Sequence, residues 1–417
     1  MQLGYSRPDL LQAMAEAASV LPHARPSRFD TVAAASYREE LLRAAGPPYT
    51  RVLLASSGSE AVDLAIQAAW WWQRANGRPE RTEVLSLHGH YHGATLGALN
   101  VTGWRERRDR FAPLLGGRVF GPPAHCTRCF RGLRHPECRI ACVDAALEDP
   151  SRCAAFLAET IPAAGLAAAV PPPGWMARVR ERCDQTGALW IADEVLTGFG
   201  RTGALTASSR LSERDRVPAA PDLVVFGKGA AAGFYPVSGV LVADRVAAAL
   251  DGASLAATGR HSPDAFRHAQ TFGGSPIGTT VALRALQVYQ SEKCFERARA
   301  LESEATSILG SLTESEAVRD VRGMGLLWGI ELEAQDVDHG AAHGMALAVE
   351  QGCRERGVLV HSSSGFTPEA HGEAILVAPP LIVEGNTLKE IAAALRESIE
   401  EIAGRAPSRT SITREER

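Results

Sequence analysis

The chain has 417 residues, of which 45% are hydrophobic and 22% charged, and a formal net charge of -4. That length accommodates one large and one small domain around a sizeable core, and the near balance of charge excludes an electrostatic case for nucleic acid or an anionic membrane surface. No apolar run reaches the roughly 18 residues of a spanning helix, the first residues lack the basic and apolar regions of a signal peptide, and eight cysteines without such a signal read as reduced thiols, so a cytoplasmic setting is expected.

Residues 7–20 place Leu10, Leu11, Met14 and Ala17 on one helical face. A second helix is expected over residues 31–45, stopped by Gly46-Pro47-Pro48. Residues 51–55 are strand-like, Ser56 to Ser59 form a small polar loop, and Glu60 opens a helix. A strand, a small-residue loop and a helix start together make an anion site, because unpaired N–H groups and the helix dipole face the loop. Phosphate fits there, although Ser59 acting merely as an N-cap needs no ligand.

Strand-like residues 84–87 run into His88-Gly89-His90-Tyr91-His92-Gly93-Ala94. Three histidines within five residues invite a metal, but the glycines favour a loop over a helix that would set ligands on one face. No metal is assigned, and Tyr91 is read as a flat aromatic surface. Residues 116–149 interrupt the alternation of strands and helices with Cys126, Cys129, Cys138 and Cys142, spaced C-x2-C-x8-C-x3-C. The first pair suits a structural zinc, the second is less regular, and ordinary thiols are the simpler reading.

Residues 153–158 form an apolar strand ending at Glu159, a helix is expected over 174–186, and residues 188–192 deliver Asp193-Glu194. Acids at the end of an apolar strand are costly to bury unless paired, and a pyridinium nitrogen would pair with one. The run Thr197-Gly198-Phe199-Gly200-Arg201-Thr202-Gly203 is a tight loop, and residues 205–220 read as an exposed one. Residues 221–229 then carry Lys228 out of a short apolar strand into a glycine-flanked turn. The only other lysines, Lys293 and Lys389, sit in helix-like patterns and read as solvated. Lys228 follows four apolar residues, where an ammonium would be desolvated, and such a lysine can be the free amine that condenses with a carbonyl. An isolated lysine there would more simply snorkel from a strand end. The rest of the sequence favours the reactive reading.

Residues 237–242 give another strand, and Thr271 to Pro276 precede a long helix over 277–309. Strands alternating with helices predict an α/β fold, a mostly parallel sheet with helices on both faces. Ligands in such sheets lie beyond the carboxyl ends of the strands, where Ser57-Gly58-Ser59, Tyr91, Glu159, Asp193 and Lys228 all fall. From residue 277 the pattern changes to strands at 318–323 and 326–332, a helix at 343–356, strands at 358–360 and 374–378, and a helix at 386–403. These form a smaller C-terminal α+β domain after a large domain of residues 1–276, with a polar tail from Arg405.

Taken in order, Ser57-Gly58-Ser59-Glu60-Ala61, Tyr91-His92-Gly93, Asp193-Glu194-Val195 with the 197–203 loop, Gly227-Lys228-Gly229, Thr271 to Pro276 and Val321-Arg322-Gly323 resemble the class III pyridoxal-phosphate-dependent aminotransferases of fold type I. The resemblance covers nearly the whole chain. It implies pyridoxal 5'-phosphate as cofactor, small-molecule amine and carbonyl substrates, and transfer of an amino group from an amine or amino acid to a keto acid or aldehyde. By this resemblance Lys228 forms the internal aldimine and carries the proton between Cα and C4′, while Asp193 keeps the pyridine nitrogen protonated. Gly58 and Ser59 would bind the phosphate, Tyr91 would stack on the ring, and His92, Glu159 and Val195 fall among the cofactor-binding positions. Thr271 would reach the phosphate of the neighbouring subunit, which implies a homodimer. The cysteine excursion resembles an insertion in some amino-acid 2-epimerases and 4-aminobutyrate-type aminotransferases.

Four features depart from the family pattern. The family usually begins some tens of residues upstream of the point matching the start of this chain. Members that grip a carboxylate often carry arginine where Ala94 and Leu376 stand, so paired clamping from those positions is missing. The glutamine usual after Asp-Glu-Val is Leu196. An epimerase or aminomutase on the same cofactor is the alternative enzyme, and a cofactor-binding remnant acting as a partner subunit is the alternative outside catalysis.

Overall fold

The computed structural model describes residues 1–26, 28–116, 120–148, 150–251, 266, 268, 270–333, 344–365 and 372–404. Helix α1 (Pro8–Val20) starts on a proline, whose missing N–H costs nothing in a first turn. Helix α2 (Val32–Ala45) starts where Thr31 accepts a hydrogen bond from Ala34 N and stops at Gly46, with φ of 67°. There follow β1 (Tyr49–Ala55), α3 (Gly58–Ala75), β2 (Glu83–Leu85), α4 (Leu96–Asn100), α5 (Arg105–Arg108), α6 (Ala141–Ala146), β3 (Cys153–Glu159) and α7 (Trp175–Thr186). Next come β4 (Leu189–Asp193), α8 (Ala207–Asp215), β5 (Leu223–Phe226), β6 (Ser238–Ala243) and α9 (Asp244–Asp251).

These strands form one sheet in the order β1-β6-β5-β4-β3-β2. Strands β2 to β5 pair in parallel, and β6 runs antiparallel to both β5 and β1. The reversal follows from the connection: between β5 and β6 the chain makes only the turn that bears Lys228, with no crossover helix to return it in parallel. Every residue of β3, β4, β5 and β6 is buried, which is why these segments read as unbroken apolar runs.

The second half contains α10 (Pro276–Ser291), α11 (Cys294–Gly310), β7 (Val318–Met324), β8 (Leu327–Leu332), α12 (Met345–Glu355), β9 (His361–Ser364), β10 (Glu373–Val377) and α13 (Gly385–Gly404). Its four strands pair antiparallel in the order β7-β8-β10-β9. At the β7–β8 corner Gly325 has φ of 60°, and a Cβ there would lie 2.7 Å from the Thr202 carbonyl carbon, so a side chain is excluded by the glycine-rich loop beneath it. The division expected at residue 276 falls at the start of α10, and α10 packs on α1 and α2. One apolar cluster joins the two halves, with Leu10, Val224 and Phe226 in the same core as Ile330, Ile375 and Leu395.

Four local expectations are corrected. Residues 205–220 are not an exposed loop: they contain α8, with Ala207, Ser208 and Leu211 buried. The helix expected over 277–309 is two, broken where Lys293 adopts φ of 50°, so Lys293 sits at a helix start and not inside one. The strand expected at 358–360 lies one step later, at His361–Ser364, because pairing with β10 sets it and not its own polar sequence. Helix α3 begins at Gly58, with Ser57 as its cap, instead of at Glu60. The helix start at His343 and the tail from Arg405 lie outside the described residues.

Candidate active site

The ends of β3 and β4 are in register, with Glu159 beside Asp193. Asp193 is 5% exposed. Its Oδ1 accepts from Val195 N at 3.1 Å and its Oδ2 lies 2.8 Å from His92 Nδ1. A carboxylate only accepts, so His92 carries its proton on Nδ1. His92 is set in place by its own N–H, which donates to Thr102 Oγ1 at 3.0 Å, and the Thr102 hydroxyl donates to Ala98 O at 2.9 Å. The neighbouring acid differs. Glu159 accepts from Tyr91 N at 2.9 Å and Ala163 N at 3.3 Å, and burial, with the Asp193 charge nearby, pushes its carboxyl up to about 8 against the pull of those donors and of Lys228. Glu159 N also donates to His90 Nδ1 at 2.9 Å, which puts the His90 proton on Nε2. Burial keeps His90 neutral, well below its usual range.

At the other end of the site, Ser57 Oγ accepts from Glu60 N while the Glu60 carboxylate accepts from Ser56 N and Ser57 N, both at 3.0 Å. The cap is thus Ser57, and not Ser59, for which a cap was the alternative to phosphate binding. Ser59 is freed from that duty, and its Oγ accepts from Ala94 N at 3.0 Å. The backbone N–H groups of Gly58 and Ser59, in the first turn of an 18-residue helix, have no partner within it. Ser238 Oγ donates to Ser57 O at 2.7 Å and ties β6 to this turn. A Cβ on Gly58 would lie 3.0 Å from Val195 Cγ1, and one on Gly227 3.3 Å from the same atom, so Val195 sits between the helix start and the lysine turn.

Lys228 follows the end of β5 with φ of 34°. Lys228 is exposed just past the carboxyl end of the central strand β5, where a desolvated position was expected. Glu194, the second acid delivered by the same strand, holds the start of α8: it accepts from Ala207 N, from Ser208 N at 2.8 Å and from Thr160 Oγ1 at 3.0 Å. Tyr91 is half-buried and meets Trp104 edge-on, with ring centroids 6.1 Å apart and planes at 88°. The Trp104 indole in turn donates to Ser364 O at 3.0 Å, linking the Tyr91 loop to β9. Thr271 is exposed, in a turn whose Gly273 and Gly274 press on Leu54 of β1. Ala94 is exposed, and Leu376 is buried in an apolar cluster with Leu87, Ile161 and Ala163 against which Leu196 packs. Among the described residues no group of three or more His, Cys, Asp or Glu side chains could hold a metal ion, and the four excursion cysteines are free thiols.

Thr102, Ser238 and Trp104 went unnoticed in the sequence. Ser238 and Trp104 act on residues far away in the chain, Thr102 on neighbours four and ten residues back, and a lone hydroxyl or indole gives no spacing signal.

Residues 1–399 match the family model for Aminotransferase class-III. The chain belongs to the class III aminotransferases. It is 31% identical to an uncharacterized aminotransferase, YhxA, of Bacillus subtilis, over 96% of this chain and 86% of that protein. It is 30% identical to an omega-aminotransferase of Caulobacter vibrioides, over 94% and 85% respectively. Among solved structures it resembles an amine transaminase from an uncultivated Pseudomonas species in its PLP-bound form, with a TM-score of 0.83 and 28% identity over 96% of this chain and 88% of that one. This class III aminotransferase is accordingly a fold type I enzyme, and members of the class depend on pyridoxal phosphate.

Proposed function

We propose that this aminotransferase binds pyridoxal 5'-phosphate between Asp193, Lys228 and the start of α3, and moves amino groups from donors recognised through apolar contacts. The observation that carries the reading is the Asp193 carboxylate at the end of β4, held by His92 Nδ1 at 2.8 Å and free of the duty that Glu194 takes on. The residues present fit the cofactor: the Gly58 and Ser59 N–H groups lie in the first turn of α3 without partners inside the helix, and a Cβ at position 58 would crowd Val195 at 3.0 Å. Bound there, the cofactor supplies an aldehyde and an electron-withdrawing pyridinium ring.

Asp193 keeps a proton on the ring nitrogen, and the His92 N–H fixes the orientation of that carboxylate. Gly58 and Ser59 would donate to the phosphate, Tyr91 and Val195 would contact the ring, and Glu159 holds the Tyr91 backbone in place. Lys228 offers its amine as the attachment point and as the base that moves a proton at the substrate carbon. Neither Ala94 nor Leu376 supplies an arginine, and Leu376 packs in a buried apolar cluster. Thr271 would serve the site of a second copy. Phe272, Phe29 and Val32 are 51%, 66% and 84% exposed, an apolar surface suited to that contact. A cytoplasmic setting belongs to the same proposal.

A donor panel tests the specificity. Loss of the visible absorbance of the cofactor-loaded protein is expected with apolar amines and neutral amino acids. A response confined to short dicarboxylic donors contradicts it.

A further inference from the structure

The turn that presents Lys228 is gripped from behind by a buried chain of hydrogen bonds remote from the cofactor groups. A lysine at φ of 34° keeps that conformation only when its surroundings fix it. Here they do. Gln2 is 8% exposed and lies directly on the turn: a Cβ at Gly229 would sit 2.4 Å from Gln2 Oε1. Gln2 Nε2 donates to Gly198 O at 3.2 Å, and Gln2 O accepts from Leu381 N at 2.7 Å. Gln2 Oε1 lies 2.8 Å from the hydroxyl of Tyr289, on α10, and the same hydroxyl lies 2.9 Å from Gly229 O. Burial pushes the Tyr289 hydroxyl well above its usual range, so it remains a donor and shares one proton between two acceptors.

The far end of the chain completes the link. Gly198 N donates to Glu194 O at 2.9 Å, one residue beyond Asp193. A continuous path therefore runs from the carbonyl after Lys228, through Tyr289 and Gln2, to the backbone that carries the aspartate. We propose that Gln2 and Tyr289 are positioning residues for transamination: they fix the lysine turn relative to the end of β4 and so set the direction of the Lys228 amine. This rests on the reading of Lys228 as the cofactor-bearing lysine.

The test uses the cofactor-loaded enzyme and the variants Tyr289→Phe and Gln2→Leu. Tyr37→Phe serves as control, because Tyr37 is also fully buried and its hydroxyl has no partner among the described residues. Steady-state kinetics and a pH titration of the visible absorbance are the readouts. In Tyr289→Phe and Gln2→Leu, kcat should fall by about five- to tenfold with KM within about twofold, the loss expected of one misdirected hydrogen-bonded group. The titration midpoint should move by about half a unit or more in both variants and stay put in Tyr37→Phe. If Tyr289→Phe does not fold, Gln2→Leu carries the test alone. Unchanged kcat and midpoint, or equal changes in the control, overturn the proposal while loss of the band in Lys228→Ala upholds the lysine reading. A band that survives Lys228→Ala overturns both.

Discussion

Glu159 and Asp193 stand side by side at two strand ends, yet their surroundings differ. Asp193 has the His92 N–H and a backbone donor. Glu159 is buried against the Asp193 charge, and its carboxyl is pushed up to about 8. An unfolded glutamate releases its proton near 4.5. The native state therefore binds the proton more tightly, and the stability this lends at acid pH is lost as pH rises through about 8. In the cofactor-free protein, the melting temperature of Glu159→Gln relative to the unsubstituted chain should climb from about pH 5 to about pH 9, since glutamine has no proton to lose. A difference that stays flat with pH contradicts the assignment. The sequence showed both acids at strand ends but not that the Glu159 carboxyl would be raised, because that depends on its burial among neighbours brought from residues 91 and 163.

Element α8 shows how a distant partner decides a segment's state. Residues 205–220 carry no strong apolar period, so they read as a loop. The helix forms because Thr206 caps it and because the buried Glu194 carboxylate accepts from its first N–H groups. Burial raises the Glu194 carboxyl, and the donors from Ser208, Ala207 and Thr160 oppose that rise. Glu194→Ala should cost about 3 kcal/mol, the loss expected when a buried charged acceptor and its donors are separated. Urea unfolding checks it, and a cost near zero would show that α8 stands without Glu194. The same reasoning covers β9, whose serines say nothing about pairing until β10 sets the register, and the break at Lys293, which two helix-like patterns run together had concealed. The motif-bearing turns were legible because glycine and small residues mark a strand end wherever they occur.

Across the whole molecule, the order of motifs made the large sheet legible, whereas the ties between its halves were not. One such tie is Glu331 on β8, fully buried and bonded to Arg128 of the cysteine excursion and to Arg322 at 2.6 Å, with His125 at 3.5 Å. Burial alone would push this carboxyl up, but His125 and Arg322 beside it hold it well below the usual range. Its contribution is thus present above an unfolded value near 4.5 and fades as pH falls. Glu331→Gln should destabilise the protein by about 3 kcal/mol at neutral pH and flatten its acid unfolding, as expected when one partner of a buried ionic cluster is removed. Unaltered acid unfolding would show the excursion to be held by other contacts.

The central claim is that one lysine, Lys228, bears the cofactor. Three lysines are available in the chain, so borohydride reduction of the cofactor-loaded protein followed by peptide mass mapping decides among them. The account predicts a phosphopyridoxyl group on the peptide that contains Lys228 and on no other. Recovery of that group on Lys293 or Lys389, or on no lysine at all, would contradict it.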